Sequence, residues 1–377
     1  MENLSMFDLL PEEEAQQFKK IKSTDWKWTM AEDYPKEKNG LKVFSCFACG
    51  GGSTMGYKLA GCEVLGCCEI DPKMNEIYIK NHNPKYNFLM DIREFNKIPD
   101  DEIPEELKNL DILDGSPPCT TFSMAGQREE SWGVKKKFRE GQAEQTLDDL
   151  SFVFIETVAK LKPKCVIMEN VEGLIKGEAW SYVQKIYQQL NDIGYKVRHW
   201  LLKGETMGVP QTRHRVFFIA LRADVNYDIL NLDMSFNYEP ITYGEIKDGK
   251  GRIIKEGSKT HKLICEVKNG EKDMGPAHER LYGSVAFFQN KILYDNSVVL
   301  TIRAKSNDFF NLSQKRGMSV GEIISAQTFP QDYDFGNNSL SNVSYICGMS
   351  VPPIMIKRIV TRLIESGVFK DYKKEAE

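Results

Sequence analysis

The sequence predicts an α/β fold in which a doubly wound, mostly parallel sheet is followed by a smaller region of irregular or β structure. Between residues 41 and 222, short apolar runs alternate with amphipathic helical stretches, a pattern typical of parallel strands covered on both faces. The alternation stops after Arg222, and residues 223–300 are rich in Asn, Asp, Gly, Tyr and Lys. Helical spacing of apolar residues resumes in residues 316–330 and in the tail, residues 352–367.

The elements can be assigned in chain order. Residues 1–40 are charged and weakly periodic and are predicted to form an N-terminal extension. The predicted strands are short apolar runs at residues 41–47, 63–69, 87–90, 110–114, 165–169, 195–202 and 215–221. Helices are predicted after Gly56 and at residues 72–80, 146–161 and 180–193. In the smaller region, RIIKE and KLICEVK are short β-like pieces. The tail helix opens at two prolines and has an apolar side formed by Ile354, Ile356, Ile359, Val360, Leu363 and Ile364.

Composition limits the class of protein. The chain has 377 residues, of which 41% are hydrophobic and 28% charged, which fits a soluble protein of one large or two medium domains. No run approaches the roughly 20 apolar residues that span a bilayer, and the acidic, polar start is no secretory signal. We therefore expect an intracellular setting in which the nine cysteines are thiols. A net charge of −4 argues against a non-specific nucleic-acid coat protein, but it leaves room for a local basic cleft.

A glycine-rich loop and the acid after it predict a nucleoside cofactor. The loop FSCFACGGGSTMG follows the first strand and precedes a helix, and its glycines let a ligand approach the backbone and the helix N-terminus. The second strand ends in Glu69-Ile70-Asp71, where an acid can accept hydrogen bonds from ribose hydroxyls. A nicotinamide dinucleotide and S-adenosylmethionine both fit. Zinc is an alternative for Cys46, Cys49, Cys62, Cys67 and Cys68. Alternating strand positions favour buried thiols instead.

A cysteine, a glutamate and two arginines are predicted to meet at one edge of the sheet. Cys119 follows the fourth strand behind two stiff prolines, and Glu169 closes the fifth strand. Both positions lie at the carboxyl ends of strands, so the thiol and the carboxylate converge on one cleft if the strands are close neighbours. In GVPQTRHRVFFIAL, Arg213 and Arg215 are two residues apart in a strand and are expected to face one space, where they suit phosphates or base edges.

These segments resemble the DNA (cytosine-5)-methyltransferases of bacteria and phage, and the resemblance covers residues 43–367. FACGGGSTMG is similar to the family's cofactor loop, SPPCTTFS to its Pro-Cys nucleophile motif, and ENV to its catalytic glutamate motif. QTRHR is similar to the Gln-x-Arg-x-Arg motif, AQTFPQDY to the block that closes the target-recognition domain, and GMSVPP to the final cofactor block. The chain departs from the family at Cys49, where glycine is usual, at Thr120, where glutamine is common, and at Met349, where asparagine is usual.

The resemblance implies a Rossmann-like methyltransferase fold and a set of site residues. The implied catalytic residues are Cys119, Glu169, Arg213 and Arg215. The implied contacts to S-adenosylmethionine, whose product is S-adenosylhomocysteine, are Phe47, Ala48, Gly50, Gly51, Gly52, Glu69, Ile70, Asp71, Asp91, Ile92, Ser116, Pro118, Ser350 and Val351. The implied DNA contacts are Ser123, Arg128, Lys136, Arg139, Gln211, Arg213 and Arg215, and no metal is expected.

The resemblance also implies a mechanism and a domain plan. The Cys119 thiolate adds to cytosine C6, Glu169 acts at N3, Arg213 holds O2, and the target base leaves the duplex. The implied domains are an extension (residues 1–40), a catalytic and cofactor domain (41–222), a target-recognition domain (223–335) and a C-terminal return to the catalytic domain (336–377). We expect a cytoplasmic monomer that acts on double-stranded DNA, with a cognate restriction endonuclease as a further partner and no membrane association.

Three alternatives stay open at this point. The same chemistry on tRNA is the nearest, although a bulky region at 223–315 suits the reading of duplex DNA. A second is a DNA-binding relative without turnover, which the intact Cys119, Glu169 and Arg213 disfavour. A third is a nicotinamide-dependent oxidoreductase, which leaves the Pro-Cys and Gln-x-Arg-x-Arg segments unexplained.

Overall fold

The central element of the computed structural model, which describes residues 20–118, 150–304 and 308–370, is a seven-stranded sheet. Its strands are β1 Lys42–Cys46, β2 Glu63–Glu69, β3 Tyr86–Leu89, β4 Ile112–Gly115, β5 Cys165–Val171, β6 Tyr195–Lys203 and β8 His214–Arg222. The strand order is β3-β2-β1-β4-β5-β8-β6. All neighbours are parallel except β8, which runs antiparallel to β5 and β6. The prediction of a mostly parallel, doubly wound sheet is confirmed.

Helices cover both faces of this sheet. In chain order they are α1 Met30–Asp33, α2 Gly52–Leu59, α3 Pro72–His82, α4 Ile92–Lys97, α5 Leu150–Leu161, α6 Trp180–Asp192, α7 Tyr243–Ile246, α8 Lys259–Glu266, α9 Gly275–Tyr282, α10 Val320–Ala326, α11 Leu340–Met349 and α12 Pro353–Glu365. Successive β1 residues enter different cores: Val43 packs with Tyr57 of α2 and Ile356 of α12, whereas Phe44 packs with Phe95 and Phe154 of α4 and α5. Burial on both faces explains why these strands read as continuous apolar runs.

Strand order places the site. The chain leaves β1 toward β2 on one side and later returns to β4 on the other, so a crevice opens at the carboxyl ends of β1 and β4. The glycine loop follows β1, and the Ser116-Pro117-Pro118 turn follows β4. Helix α2 begins at Gly52, five residues before the start predicted after Gly56, so the loop itself supplies the first turn of the helix.

The smaller region, residues 223–335, is more helical than predicted. It contains α7 to α10 with four short strands, β9 Lys291–Leu293, β10 Val299–Leu300, β11 Phe309–Asn311 and β12 Arg316–Gly317. β10 pairs with β7 Gln211–Thr212, while β9, β11 and β12 form a three-stranded sheet. The prediction of KLICEVK as a β-like piece is wrong. Ser258 caps α8 by accepting from the His261 N–H at 3.1 Å, and Leu263 and Ile264 bury one helical face.

The N-terminal extension and the tail lie against each other. Asp25 accepts hydrogen bonds from Lys357 and Arg358 of α12 at 2.8 Å each, and the Trp28 indole donates to the Thr328 carbonyl at 2.9 Å. The stretch Leu340–Glu365 is long and apolar enough to cross a membrane, with a mean hydropathy of 1.2 in its 18-residue window. However, 72% of the tested window is buried inside the protein, and the helix breaks between α11 and α12. This stretch therefore forms part of the core.

Candidate active site

A cleft with about 700 Å³ of empty space opens at the carboxyl ends of β1 to β4. Its lining is Phe47, Cys49, Cys68, Glu69, Ile70, Asp71, Met74, Met90, Asp91, Ile92, Ser116, Pro118, Leu150, Tyr345 and Met349. Most of the residues predicted to contact a cofactor are in this set. The predicted residues that do not line it are Ala48, Gly50, Gly51, Gly52, Ser350 and Val351.

The acidic tip of β2 is held rigidly in the cleft. The Glu69 carboxylate accepts the Cys49 N–H at 2.7 Å and the Asp71 N–H at 2.8 Å, which ties the glycine loop to the second strand. Burial raises the pKa of Glu69 above its ordinary value, and the backbone hydrogen bonds oppose that shift. Asp71 caps α3 and Asp91 caps α4, each accepting a backbone N–H two residues later. The ordered carboxylate suits a ligand that carries hydroxyl donors.

The glycines of the loop serve the packing of the chain rather than the walls of the cleft. A Cβ on Gly52 would lie 2.3 Å from the Val351 carbonyl oxygen, and a Cβ on Gly51 would lie 2.1 Å from the His82 ring. The Gly50 carbonyl accepts from the Tyr333 hydroxyl at 2.5 Å. Close approach of α3 and the C-terminal segment is therefore a second reason for the glycines, and the approach of a ligand stays a prediction.

Left-handed backbone occurs at two non-glycine residues of the same loop. Phe47 has φ +57° and Cys49 has φ +47°, a region that side chains other than glycine seldom adopt. Cys49 thus takes up a glycine-like conformation at the position where the resembling family has glycine. Both residues line the cleft. Strained residues of this kind cluster at ligand sites, where neighbouring contacts hold them in place.

The cysteines near the loop are thiols in the core. Cys46, Cys62, Cys67 and Cys68 are at most 2% exposed, and burial is the main cause that raises the pKa of each. Within residues 20–118, 150–304 and 308–370, no three His, Cys, Asp or Glu side chains are grouped to hold a metal ion. These four thiols behave as small hydrophobic side chains.

Glu169 meets Arg215 at the end of β5. Their strands pair antiparallel, with Val171 opposite Arg215, and the Arg215 Nε lies 2.8 Å from the Glu169 carboxylate. The next residue, Asn170, is 2% exposed and donates from its side-chain amide to the Pro117 carbonyl at 3.3 Å. The glutamate, the arginine and the proline turn that leads to Cys119 are therefore brought together, as the sequence predicted for this edge.

Gln211 and Arg213, which are predicted to contact DNA, lie in the interior of the protein. Gln211 is fully buried; its amide donates to Gln327 Oε1 at 2.8 Å, and its carbonyl oxygen accepts the Ile302 N–H at 2.7 Å. Arg213 is 3% exposed and donates to the carbonyls of Ile302 and Gly348, both at 3.0 Å. These side chains join segments about 90 to 135 residues apart in the chain, so both have a structural role, and their contacts to DNA stay a prediction.

Comparison with known proteins identifies the family. The model of the C-5 cytosine-specific DNA methylase family matches residues 41–365. The chain belongs to this family.

Relatives of this methyltransferase include bacterial enzymes of similar length. It is 27% identical to the type II methyltransferase M.FnuDI of Fusobacterium nucleatum over 366 residues, covering 89% of this chain and 98% of the relative. It is 29% identical to M.NgoPII of Neisseria gonorrhoeae over 353 residues, covering 86% and 95%. The family assignment makes the protein a DNA cytosine-5 methyltransferase and removes the oxidoreductase alternative.

Solved structures share the fold. A putative DNA modification methyltransferase encoded within an E. coli prophage matches with a TM-score of 0.58 and 19% identity, over 86% of this chain and 99% of that one. A DNMT2 mutant of Spodoptera frugiperda matches with a TM-score of 0.59 and 18% identity, over 86% and 100%. The predicted methyltransferase fold is confirmed.

Several predicted site residues of the methyltransferase lie outside the described residues. They are Cys119, Ser123, Arg128, Lys136 and Arg139, together with the departure at Thr120. Sequence reasoning missed other residues that line the cleft, namely Cys68, Met74, Met90, Leu150 and Tyr345. Met349 was noted as a departure and proves to line the cleft. The missed residues are mostly apolar, and a core residue with the same side chain gives the same signal in sequence.

A buried carboxyl lies beneath the turn. Asp114 on β4 is 2% exposed; it accepts from the Ser45 hydroxyl at 2.6 Å and from the Tyr57 hydroxyl at 3.0 Å. Burial is the main cause that raises its pKa to about 7, although these hydrogen bonds oppose the shift. The Asp114 carboxyl therefore joins β1, α2 and β4, the elements next to the glycine loop and the Ser116-Pro117-Pro118 turn.

Proposed function

We propose that this methyltransferase transfers a methyl group from S-adenosylmethionine to C5 of a cytosine in a specific duplex DNA sequence, through a covalent bond between Cys119 and cytosine C6. The observation that carries the proposal is the meeting of Glu169, Arg215 and the Pro117–Pro118 turn beside the cleft. This turn leads directly into Cys119. Attack by a thiolate on one side of a base and acid–base chemistry on another require such a convergence.

The cleft suits S-adenosylmethionine. Ser116 lines it, and its buried hydroxyl has no hydrogen-bond partner among the described residues, so it can serve a ligand. The Glu69 carboxylate is placed for ribose hydroxyls, and Phe47, Ile70 and Ile92 provide apolar contacts for an adenine ring. When bound, S-adenosylmethionine supplies an electrophilic methyl group.

The protein side chains activate the base. The Cys119 thiolate forms a bond to C6, which makes C5 nucleophilic enough to take the methyl group. Glu169 hydrogen-bonds or protonates N3 and so stabilises the electrons that the addition moves into the ring. A base then removes the C5 proton, the C5–C6 double bond re-forms as the thiolate leaves, and a proton given to N3 returns to Glu169.

Arg215, rather than Arg213, is our candidate for orienting Glu169 and holding the cytosine O2. Its Nε is already 2.8 Å from the glutamate. The guanidinium of Arg213 donates instead to the backbone carbonyls of Ile302 and Gly348. Arg213 then stabilises the site by joining the Ile302 and Gly348 backbones to the segment before β8.

The DNA partner implies further features of the protein. The target cytosine must leave the duplex to reach a pocket at the sheet edge. We propose that residues 223–335 select the sequence, that Arg128, Lys136 and Arg139 contact phosphates, and that residues 336–377 complete the cofactor domain. The type II names of the relatives favour a cognate restriction endonuclease. We further propose a cytoplasmic monomer.

Methyl-transfer assays test the proposal. The protein is incubated with labelled S-adenosylmethionine and with plasmid DNA or tRNA, and methylated plasmid is sequenced after bisulfite treatment. Label is expected in plasmid cytosines at one sequence. Cys119→Ala is expected to abolish transfer while cofactor affinity is unchanged. Cys265→Ala, at an exposed cysteine in the smaller region, is the matched control and should keep full activity. Undiminished transfer by Cys119→Ala would refute the nucleophile.

A further inference from the structure

An exposed apolar segment begins at the last two residues of α9 and continues into the loop after it, in the smaller region. Of the ten large hydrophobic side chains that are exposed among the described residues, four fall in one run of eight residues, namely Leu281, Tyr282, Val285 and Phe288. Val285 is 63% exposed and Phe288 is 54% exposed. We call residues 281–290 the apolar loop. Single exposed hydrophobic residues need no explanation, whereas a cluster of them indicates a contact surface.

The backbone of the apolar loop is tied in place from beneath. The His278 ring donates to the Ser284 carbonyl at 2.6 Å and stacks on Phe287, with 5.4 Å between ring centroids. Phe287 itself has φ +61°, a strained conformation that these contacts hold. Lys291 donates to the Phe288 carbonyl at 2.6 Å. The exposed side chains are therefore presented on a fixed support, which lowers the entropy lost on binding.

A polar pair connects the apolar loop to the catalytic edge. Arg303 Nη2 donates to Gln289 Oε1 at 2.8 Å. Arg303 directly follows Ile302, whose backbone is held by hydrogen bonds to Gln211 and Arg213. Arg213 in turn lies two residues before Arg215, which pairs with Glu169. The loop is thus linked through Arg303 and Ile302 to the segment of Gln211 and Arg213, which leads into β8, the strand of Arg215.

The chemistry of the apolar loop suits base pairs. The loop contains no Asp or Glu, so it does not repel a phosphate backbone. Guanidinium and amide groups form hydrogen bonds with base edges, and guanidinium is the usual partner of guanine. Apolar side chains that stand out from a fixed backbone can contact base faces or wedge between base steps.

We propose that the apolar loop is the surface with which this enzyme contacts the base pairs next to its target cytosine. Phe288 and Val285 make the apolar contacts, and the Gln289–Arg303 pair discriminates between base edges. This proposal rests on the proposed action on duplex DNA and narrows it to four side chains.

Variants of the apolar loop test the proposal. Phe288→Ala, Gln289→Ala and Arg303→Ala are compared with Ile79→Ala, which removes a 43%-exposed apolar side chain on α3, outside residues 223–335. Phe288→Ala is expected to lower kcat/KM for DNA at least about tenfold, with the KM for S-adenosylmethionine and the melting temperature unchanged. In bisulfite sequencing of a plasmid library, Gln289→Ala and Arg303→Ala are expected to lose about 5- to 150-fold of the preference at one base-pair position.

The outcomes separate the two proposals. Loop variants that behave like Ile79→Ala, in an active wild-type background, would overturn the role of the loop and leave the proposed function intact. A wild-type protein that methylates no DNA would overturn the proposed function; the same variants would then be tested in gel shifts with plasmid DNA, where unchanged binding overturns the loop proposal. If Phe288→Ala lowers the melting temperature, Val285→Ser on the same loop provides the same readout.

Discussion

Replacing the buried carboxyl of Asp114 should change how stability depends on pH. Burial raises the pKa of Asp114 from an ordinary 3.8 to about 7 in the folded protein, so folding retains a proton that the unfolded chain releases. The stabilisation is fully present below about pH 4 and is lost as pH rises toward 7. At about 1.4 kcal/mol per pKa unit, the free energy of unfolding should fall by about 2–3 kcal/mol between pH 5 and pH 8 through this group.

Asp114→Asn removes this dependence because an amide has the shape of the neutral acid and does not titrate. The assay is urea unfolding at pH 5, 6, 7 and 8 for wild type and variant, and the quantity compared is the difference between their slopes with pH. Tyr57→Phe is the matched control, since it removes the 3.0 Å hydrogen bond and keeps the carboxyl. It should retain most of the wild-type slope. Parallel pH profiles for wild type and Asp114→Asn would refute the reasoning.

Two further substitutions test the packing around the site. Gly52→Ala places a Cβ 2.3 Å from the Val351 carbonyl oxygen and should lower the free energy of unfolding by about 1–3 kcal/mol. Gly317→Ala is the control, because its Cβ would lie no nearer than 3.9 Å to any described atom beyond its chain neighbours, and it should change the free energy of unfolding little. Urea unfolding measures both variants, and equal effects would contradict the packing role of Gly52. Gln211→Leu leaves buried partners unsatisfied and should cost at least about 2 kcal/mol without DNA. Gln289→Leu on the exposed loop should change the free energy of unfolding by no more than about 0.5 kcal/mol. Similar losses for Gln211→Leu and Gln289→Leu would contradict the structural role of Gln211.

The sheet could be predicted because each strand is a short apolar run covered on both faces. The predicted 63–69 coincides with Glu63–Glu69, and the predicted 41–47 differs from Lys42–Cys46 by one residue at each end. The segment KLICEVK was predicted wrongly because seven residues with two adjacent aliphatic side chains satisfy a strand pattern as well as a helical one. The decisive feature, the Ser258 cap, lies four residues upstream.

The positions of the site residues were predictable where the fold alone decides them. Glu169 lies near the carboxyl end of β5 and Ser116 follows β4, so the topology brings them to one edge of the sheet. Burial of Gln211 and Arg213 was not predictable, because it depends on carbonyls and amides at residues 302, 327 and 348 that fold over the motif. The spacing of a motif shows which side chains share a face, and it does not show what covers that face.

The most direct measurement of the central claim is covalent capture of the cytosine by Cys119. A duplex that carries 5-fluorocytosine at the methylated position blocks the last step, because C5 then has no proton to lose and the thiol cannot leave. With S-adenosylmethionine present, a protein–DNA species that survives denaturation is expected, and mass spectrometry of its peptides should place the bond at Cys119. The Cys119→Ala variant should form none, and Cys265→Ala should form it at the wild-type level. A stable adduct at another residue, or no adduct with a protein that methylates the ordinary duplex, would contradict the account.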